Sequence, residues 1–376
     1  LGLTLTGLSP FVLTVYTRGF QRIGWIGAPL RVELVPRHLS TGYCKVTVPT
    51  DDLRVPYLMD SGARMTVHYL DELVMSGRVS AAEGDGPRRE GTLAVTIDDD
   101  FRLLTRLLGW PNPAGAIDAQ GAATAYHTVT GPAETVLKTV VNANKGRSQP
   151  PITVAADAGR GGRVTATLRM HPIADRVLPL LETADVGVTV RQSGAGLVVD
   201  CYTPTVRPQV ISEESGALVD WGWSSQAPSA TRVVVGGQGE GTAREFLSVV
   251  DSDRESAWGE TIEVFRDARD TEDPAVHAER GNETLAEGDA TTGLTLTLAE
   301  TAGFRYGKSV RVGDTVTVQV APGVTVTDTL REAQIVWDAQ DGLKVTPIVG
   351  ERSDDPSVPL RGTINRLARS IRDMRT

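Results

Sequence analysis

Cysteine is nearly absent from this chain of 376 residues. Cys44 and Cys201 stand far apart with no CxxC, which argues against a disulfide framework or a thiolate zinc site; each reads as a small buried hydrophobe. Aromatic residues make up only 5%, so Val, Leu, Ile and Ala must fill the cores. Lysine is scarce too, five of 38 basic residues, and the net charge is −9. An acidic chain lacks the basic footprint of a nucleic-acid binder, and its arginine bias fits a GC-rich genome. No apolar run approaches the roughly 18 residues of a membrane span, and the opening LGLTLTGLSPFVL lacks the basic start of a signal peptide.

The usual catalytic and ligand patterns are missing as well. His38, His68, His127, His171 and His277 are scattered, without HExxH or paired metal-ligand spacing. There is no GxSxG elbow, and neither cysteine has a protease signature. Asp251, Asp253 and Glu255 start like a calcium loop, but Ser256 replaces the required glycine and Ile262 the twelfth-position ligand. Asp98, Asp99 and Asp100 precede an apolar helical run, where capping and the helix dipole account for them without a metal. No catalytic, cofactor-binding or metal-binding residue is assigned, and no cofactor is expected.

What the chain does have is alternation. Met65, Val67 and Tyr69 alternate with polar neighbours, as do Leu93, Val95 and Ile97, then Leu294, Leu296 and Leu298, then Val316, Val318 and Val320. Period two with one apolar face predicts half-buried strands, and residues 11–97 fit a small antiparallel barrel or sandwich. Helical spacing appears between the β segments. Pro132 opens a helix with the stripe Ala133, Val136, Leu137, Val140 and Val141; Pro172 opens another, which Pro179 should kink or shorten; Asp273-Pro274 caps a third that ends at Gly288.

Two stretches stand out. Val233-Val234-Val235 leads into glycines at 236, 237, 239 and 241. A phosphate loop would continue with Lys and Ser/Thr, and a dinucleotide fingerprint would need glycine where Thr242 stands. The loop is therefore expected to be a strand–turn–strand without ligand, and Gly239→Ala to cost about 1 kcal/mol through backbone strain. Residues 62–83 and 313–338 also share a pattern of strand, excursion and second strand, each followed by a closing strand. Duplication and convergence both fit this likeness.

Beyond the turn-rich Ser353-Asp354-Asp355-Pro356, Ile364, Leu367, Ala368, Ile371 and Met374 fall on one helical face beside Arg366, Arg369, Arg372 and Arg375. So short a helix is marginal alone, and it is expected to dock on its own chain or on a neighbour. Ile364, Leu367, Ile371, Arg366, Arg369 and Arg372 are candidate interface residues, joined by Trp221 and Trp223, which share a strand face.

VVVGGQGEGTARE with WGETIEVFRDARDTEDP, TGPAETVLKTVVNANKGR, VAADAGRGGRVT, FRYGKSVRVGDTVTVQV and DTLREAQIVWDAQDGLKVTPIVG occur here in a characteristic order. In these segments, spanning nearly the whole chain, it resembles the tail-hub family of long-tailed phages of actinobacteria. The resemblance implies a mainly β fold with an α+β insertion, in which two similar small antiparallel β-barrels flank an α/β unit. It also implies a structural virion protein, not an enzyme, at the distal end of the tail. Three chains would form a ring that contacts the distal tail protein and tail tube above and tip or fibre proteins below. The tape-measure protein, and DNA in transit, would pass its channel.

The expected divisions are a first barrel over 1–97, an α/β domain over 98–226, a β hairpin and helix over 227–289, with completion of the first barrel by the hairpin as one reading, a second barrel over 290–352, and a linker with basic helix over 353–376. The alternatives are a carbohydrate- or receptor-binding β module, or a cell-wall hydrolase with an unrecognised site.

Overall fold

The computed structural model describes residues 9–87, 90–120, 124–289, 291–298, 305–321 and 323–350. The first segment holds β1 Phe11–Tyr16, β2 Arg22–Trp25, β3 Arg31–Val35, β4 Tyr43–Pro49, the single turn α1 Val55–Leu58, β5 Arg64–Tyr69, β6 Glu72–Asp85 and β7 Thr92–Asp99. An α/β segment follows, with α2 Leu103–Arg106, β8 Leu108–Gly109, β9 His127–Pro132, α3 Ala133–Asn144 and β10 Ile152–Val154. It continues through β11 Arg163–Leu168, β12 His171–Pro172, α4 Ile173–Thr183, β13 Gly187–Ser193 and β14 Gly196–Tyr202. Next come β15 Val206–Ile211, β16 Leu218–Gln226, β17 Arg232–Gly236, β18 Phe246–Val250, α5 Ser252–Trp258, β19 Glu263–Asp267 and α6 Pro274–Glu287. The last strands are β20 Thr291–Leu298, β21 Thr315–Ala321, β22 Val324–Asp338 and β23 Gly342–Gly350.

These elements form two compact units, one of residues up to Trp221 together with Leu296–Val349, the other of Gly222–Thr295. In the first unit, strands from both ends of the chain enter one 13-stranded sheet, in the order β16-β20-β23-β22-β3-β4-β7-β6-β5-β1-β2, with β21 on β22 and β15 on β21. Among the described residues this order never returns to its start. The sheet is open where two separate closed barrels were expected. The length of β22 gives the reason. β21 covers only its first half, Val324–Thr329. The backbone groups of the second half need another partner, and β3 supplies it, Leu34 standing opposite Ile335 and Arg31 opposite Asp338.

The repeat seen in the sequence is present in the backbone. Arg64↔Arg78, Met65↔Gly77, Thr66↔Ser76 and Val67↔Met75 in β5–β6 match Thr315↔Thr329, Val316↔Asp328, Thr317↔Thr327 and Val318↔Val326 in β21–β22, at a constant sequence offset. Each meander then passes over one residue of its middle strand, Ser80 in β6 and Arg331 in β22, and these are equivalent positions. Each begins after a positive-φ glycine, Gly62 at 83° and Gly313 at 95°. The same register over these pairs and an equivalent bulge before the closing strand are hard to obtain by chance alternation, because a one-residue slip turns every side chain to the other face.

The α/β segment has its own core, running from Phe101 and Leu104 through Val136, Leu137, Val140 and Val141 of α3 to Ile173, Val177 and Leu181 of α4 and the strand residues Val190 and Val199. The predicted α3 stripe is completely buried, each of its Val and Leu side chains contributing about 1.5–3 kcal/mol. The other helix continues past Pro179 to Thr183, so the proline does not stop it early. The turn of the β13–β14 hairpin carries Gly194 at φ 56°.

In the second unit, β17 pairs antiparallel with β18 and parallel with β19, forming a three-stranded sheet of its own. The β17–β18 hairpin, for which a place in the first barrel was one reading, pairs within this sheet. Val233, Val235, Ala230, Ala268 and Leu285 make its core. The calcium-like Asp251 caps α5 by accepting the Arg254 N–H at 2.9 Å, and Gly259 ends that helix at φ 64°. No described helix is long and apolar enough to cross a membrane.

Candidate assembly interface

Residues that carry chemistry in other folds are committed here to holding strands together. Asp98 accepts from Arg102 at 2.8 Å and from Ser80 at 2.8 Å. Asp99 caps the short turn after β7 by accepting the Phe101 N–H, and Arg191 lies 3.2 Å from it. Burial pushes the Asp99 carboxyl up to about 6 against the pull of Arg191. Asp100 accepts from Ser76 Oγ at 2.7 Å and from Arg64, whose Nε donates to Gln192 at 2.9 Å. Among the described residues no group of three acidic, His or Cys side chains could hold a metal ion.

The glycine loop is a packed turn. Arg244 donates to the carbonyls of Gly236 and Gly237, at 3.2 Å each, and pairs with Asp267 at 2.6 Å. A Cβ on Gly237 would stand 2.6 Å from the His277 ring, so glycine is required for close approach. Gly239 has φ 103°, and a Cβ there would lie 2.3 Å from the Ala243 carbonyl oxygen. Gly239→Ala thus meets a backbone clash as well as strain, and its expected cost rises to about 2 kcal/mol. Chemical unfolding checks this; a loss below about 0.5 kcal/mol, the range of an indifferent surface change, would show that the loop tolerates a side chain.

The seam between β3 and β22 gathers a set of polar groups from both ends of the chain. Arg37 Nε lies 2.5 Å from Glu332, and Gln334 donates to Glu33 at 2.9 Å. The backbone N–H of His38 donates to Arg331 O at 2.8 Å, and Ala333 N–H to Pro36 O at 3.3 Å. The His38 ring lies 2.9 Å from the Tyr202 hydroxyl. Burial, then the Arg331 charge, lower the His38 pKa to about 4, so the ring is neutral. Gly313 leaves room for this contact: a Cβ would stand 2.4 Å from Tyr202 Oη and 3.0 Å from His38 Nδ1. The thiols are inert by burial, Cys201 being pushed up to about 12 and Cys44 higher.

Of the candidate interface residues, Trp221 and Trp223 both lie on β16, and Trp221 is exposed beside the exposed Val219. Ile364, Leu367, Ile371, Arg366, Arg369 and Arg372 lie outside the described residues. The β3–β22 seam was missed in sequence. Its one visible trace was the repeat, whose two middle strands are far longer than the strands that precede them.

A family profile described as Siphovirus ReqiPepy6 Gp37-like protein matches residues 12–351. The fold is similar to the 43 kDa tail protein of prophage MuSo2 from Shewanella oneidensis, at 12% identity, 91% of this chain and 99% of that one, with a TM-score of 0.58. It is also similar to a tail protein from Neisseria meningitidis MC58, at 13% identity, 91% and 96% coverage and TM-score 0.54. A third likeness is to prophage tail protein gp18 from Listeria monocytogenes EGD-e, at 10% identity, 95% and 99% coverage and TM-score 0.51. At such identities the likeness is one of fold. No curated protein matches.

Proposed function

The chain belongs to the Siphovirus ReqiPepy6 Gp37-like family, and from that premise we propose that it is the structural hub at the distal end of a phage tail. In this reading three copies form a ring that joins the tail tube and distal tail protein to tip or fibre proteins. The ring encloses the channel taken by the tape-measure protein and then by DNA, and it does no catalysis. The observation that carries the reading is the repeated meander, present twice in one chain in the same register. A chain with two equivalent β units lets a three-fold ring offer six equivalent docking positions to a six-fold tube. The acidic balance of the chain suits a channel for DNA, since like charge keeps it from adhering.

Native mass measurement of the purified chain, alone and with the distal tail and tube proteins, tests this proposal. Three copies per ring and a complex with those proteins are expected; six copies, or no complex, would reject it. Incubation with host cell-wall material should release no fragments; released fragments would revive the hydrolase alternative. The basic C-terminal segment belongs to the same proposal as a docking element, with Trp221 and Trp223 as further contacts. Deleting residues 360–376 should leave thermal unfolding nearly unchanged and weaken ring or tail assembly in light scattering. A large fall in melting temperature with assembly intact would make that segment part of the fold.

A further inference from the structure

The two meanders differ in how the far half of the middle strand is covered. In the second, the far half of β22 is covered by β3, whose extension accepts Ala333 N–H at Pro36 O and donates His38 N–H to Arg331 O. In the first, the equivalent half of β6 has β7 on one side and, among the described residues, no strand on the other. Ala82 and Ser80 are the register equivalents of Ala333 and Arg331. The N–H of Ala82 therefore points outward, away from β7, and residues 80–85 are all exposed. A strand edge of this kind is a template for pairing.

The missing partner can be read from the same comparison. β3 reaches its meander through β4 and β7; in the second meander the strand in that place is β16, reached through β20 and β23. β16 ends the sheet order, and Val219 on it is 61% exposed.

We propose that β16 of one copy, through Leu218–Trp221, adds antiparallel to residues 80–85 of β6 in a second copy. This repeats between chains the β22–β3 pairing found within one. The contact is head-to-tail, each copy offering β16 at one end and β6 at the other, and such a contact closes into a ring when the rotation per copy allows it. It rests on the hub reading for the number of copies, and on the unfilled edge for its residues.

Ala82→Pro tests the pairing, because proline removes an outward N–H and places its ring where the incoming strand must lie. The variant should unfold like the dissociated wild type, while the concentration for half assembly in light scattering rises about ten-fold or more. Hydrogen exchange on the wild-type protein gives a second reading should the variant fail to fold: the Ala82 amide should slow on assembly. Assembly undisturbed by Ala82→Pro would overturn the pairing, as would Ala82 exchange equally fast in ring and monomer, or a wild-type chain that never self-associates. The first two outcomes leave the hub reading standing. That reading falls separately, if an assembled ring fails to bind the distal tail and tube proteins.

Discussion

Arg64→Met is expected to lower the stability of the protein by about 3–5 kcal/mol, the cost of leaving a buried charge without its partner. Arg64 is fully buried and Asp100 is 4% exposed, so no water can replace the lost guanidinium. The side chain also stacks 4.4 Å over the Phe20 ring and donates to Gln192 of β13, while the Gln192 N–H donates to Ser76 at 2.7 Å. One arginine thus ties the first meander to the α/β segment. Its equivalent in the second meander is Thr315. Urea unfolding of the single variant, of Asp100→Asn and of the double variant checks this. The double variant should recover part of the loss, since replacing both partners removes the orphaned charge. A single-variant loss under about 1 kcal/mol, the scale of an ordinary hydrogen bond, would mean that the network contributes little.

Mild acid should loosen the β3–β22 seam through His38. Its folded pKa of about 4 lies below the ordinary histidine value of 6.5, so the neutral ring contributes stability that is fully present above 6.5. That contribution is lost as pH falls towards 4, and it amounts to about 3 kcal/mol by linkage. Asp99 acts in the opposite sense. Its folded pKa of about 6 lies above 3.8, so its contribution is greatest in acid and is lost as pH rises through 6. The wild-type pH profile therefore mixes both, and the comparison that isolates the histidine is His38→Gln. Glutamine keeps a polar atom toward Tyr202 without titrating. Between pH 6.5 and 4 the stability of wild type should fall relative to this variant by about 3 kcal/mol; parallel profiles would mean that His38 is protonated without cost in the fold.

The sequence by itself determined the local elements and their repetition. Alternation at Met65, Val67 and Tyr69 and at Val316 and Val318 marked the strands, because a half-buried strand must alternate. Asp273-Pro274 and Gly288 bounded α6 through groups that act within one turn. The segment Asp251 to Gly259 carried the same kind of capping signal, but its acidic spacing drew attention to metal and α5 was missed.

Tertiary structure alone decided that β3 pairs with β22, that one open sheet replaces two closed barrels, and that Arg64 meets Asp100 and Gln192. Backbone edges carry no side-chain code: every strand offers the same N–H and C=O row, and a partner some 300 positions away is chosen by which edges remain uncovered when the cores are packed. The repeat could be read in one dimension because register is local. Its consequence, one edge filled and its equivalent left open among the described residues, exists only after both meanders have been laid in the same sheet.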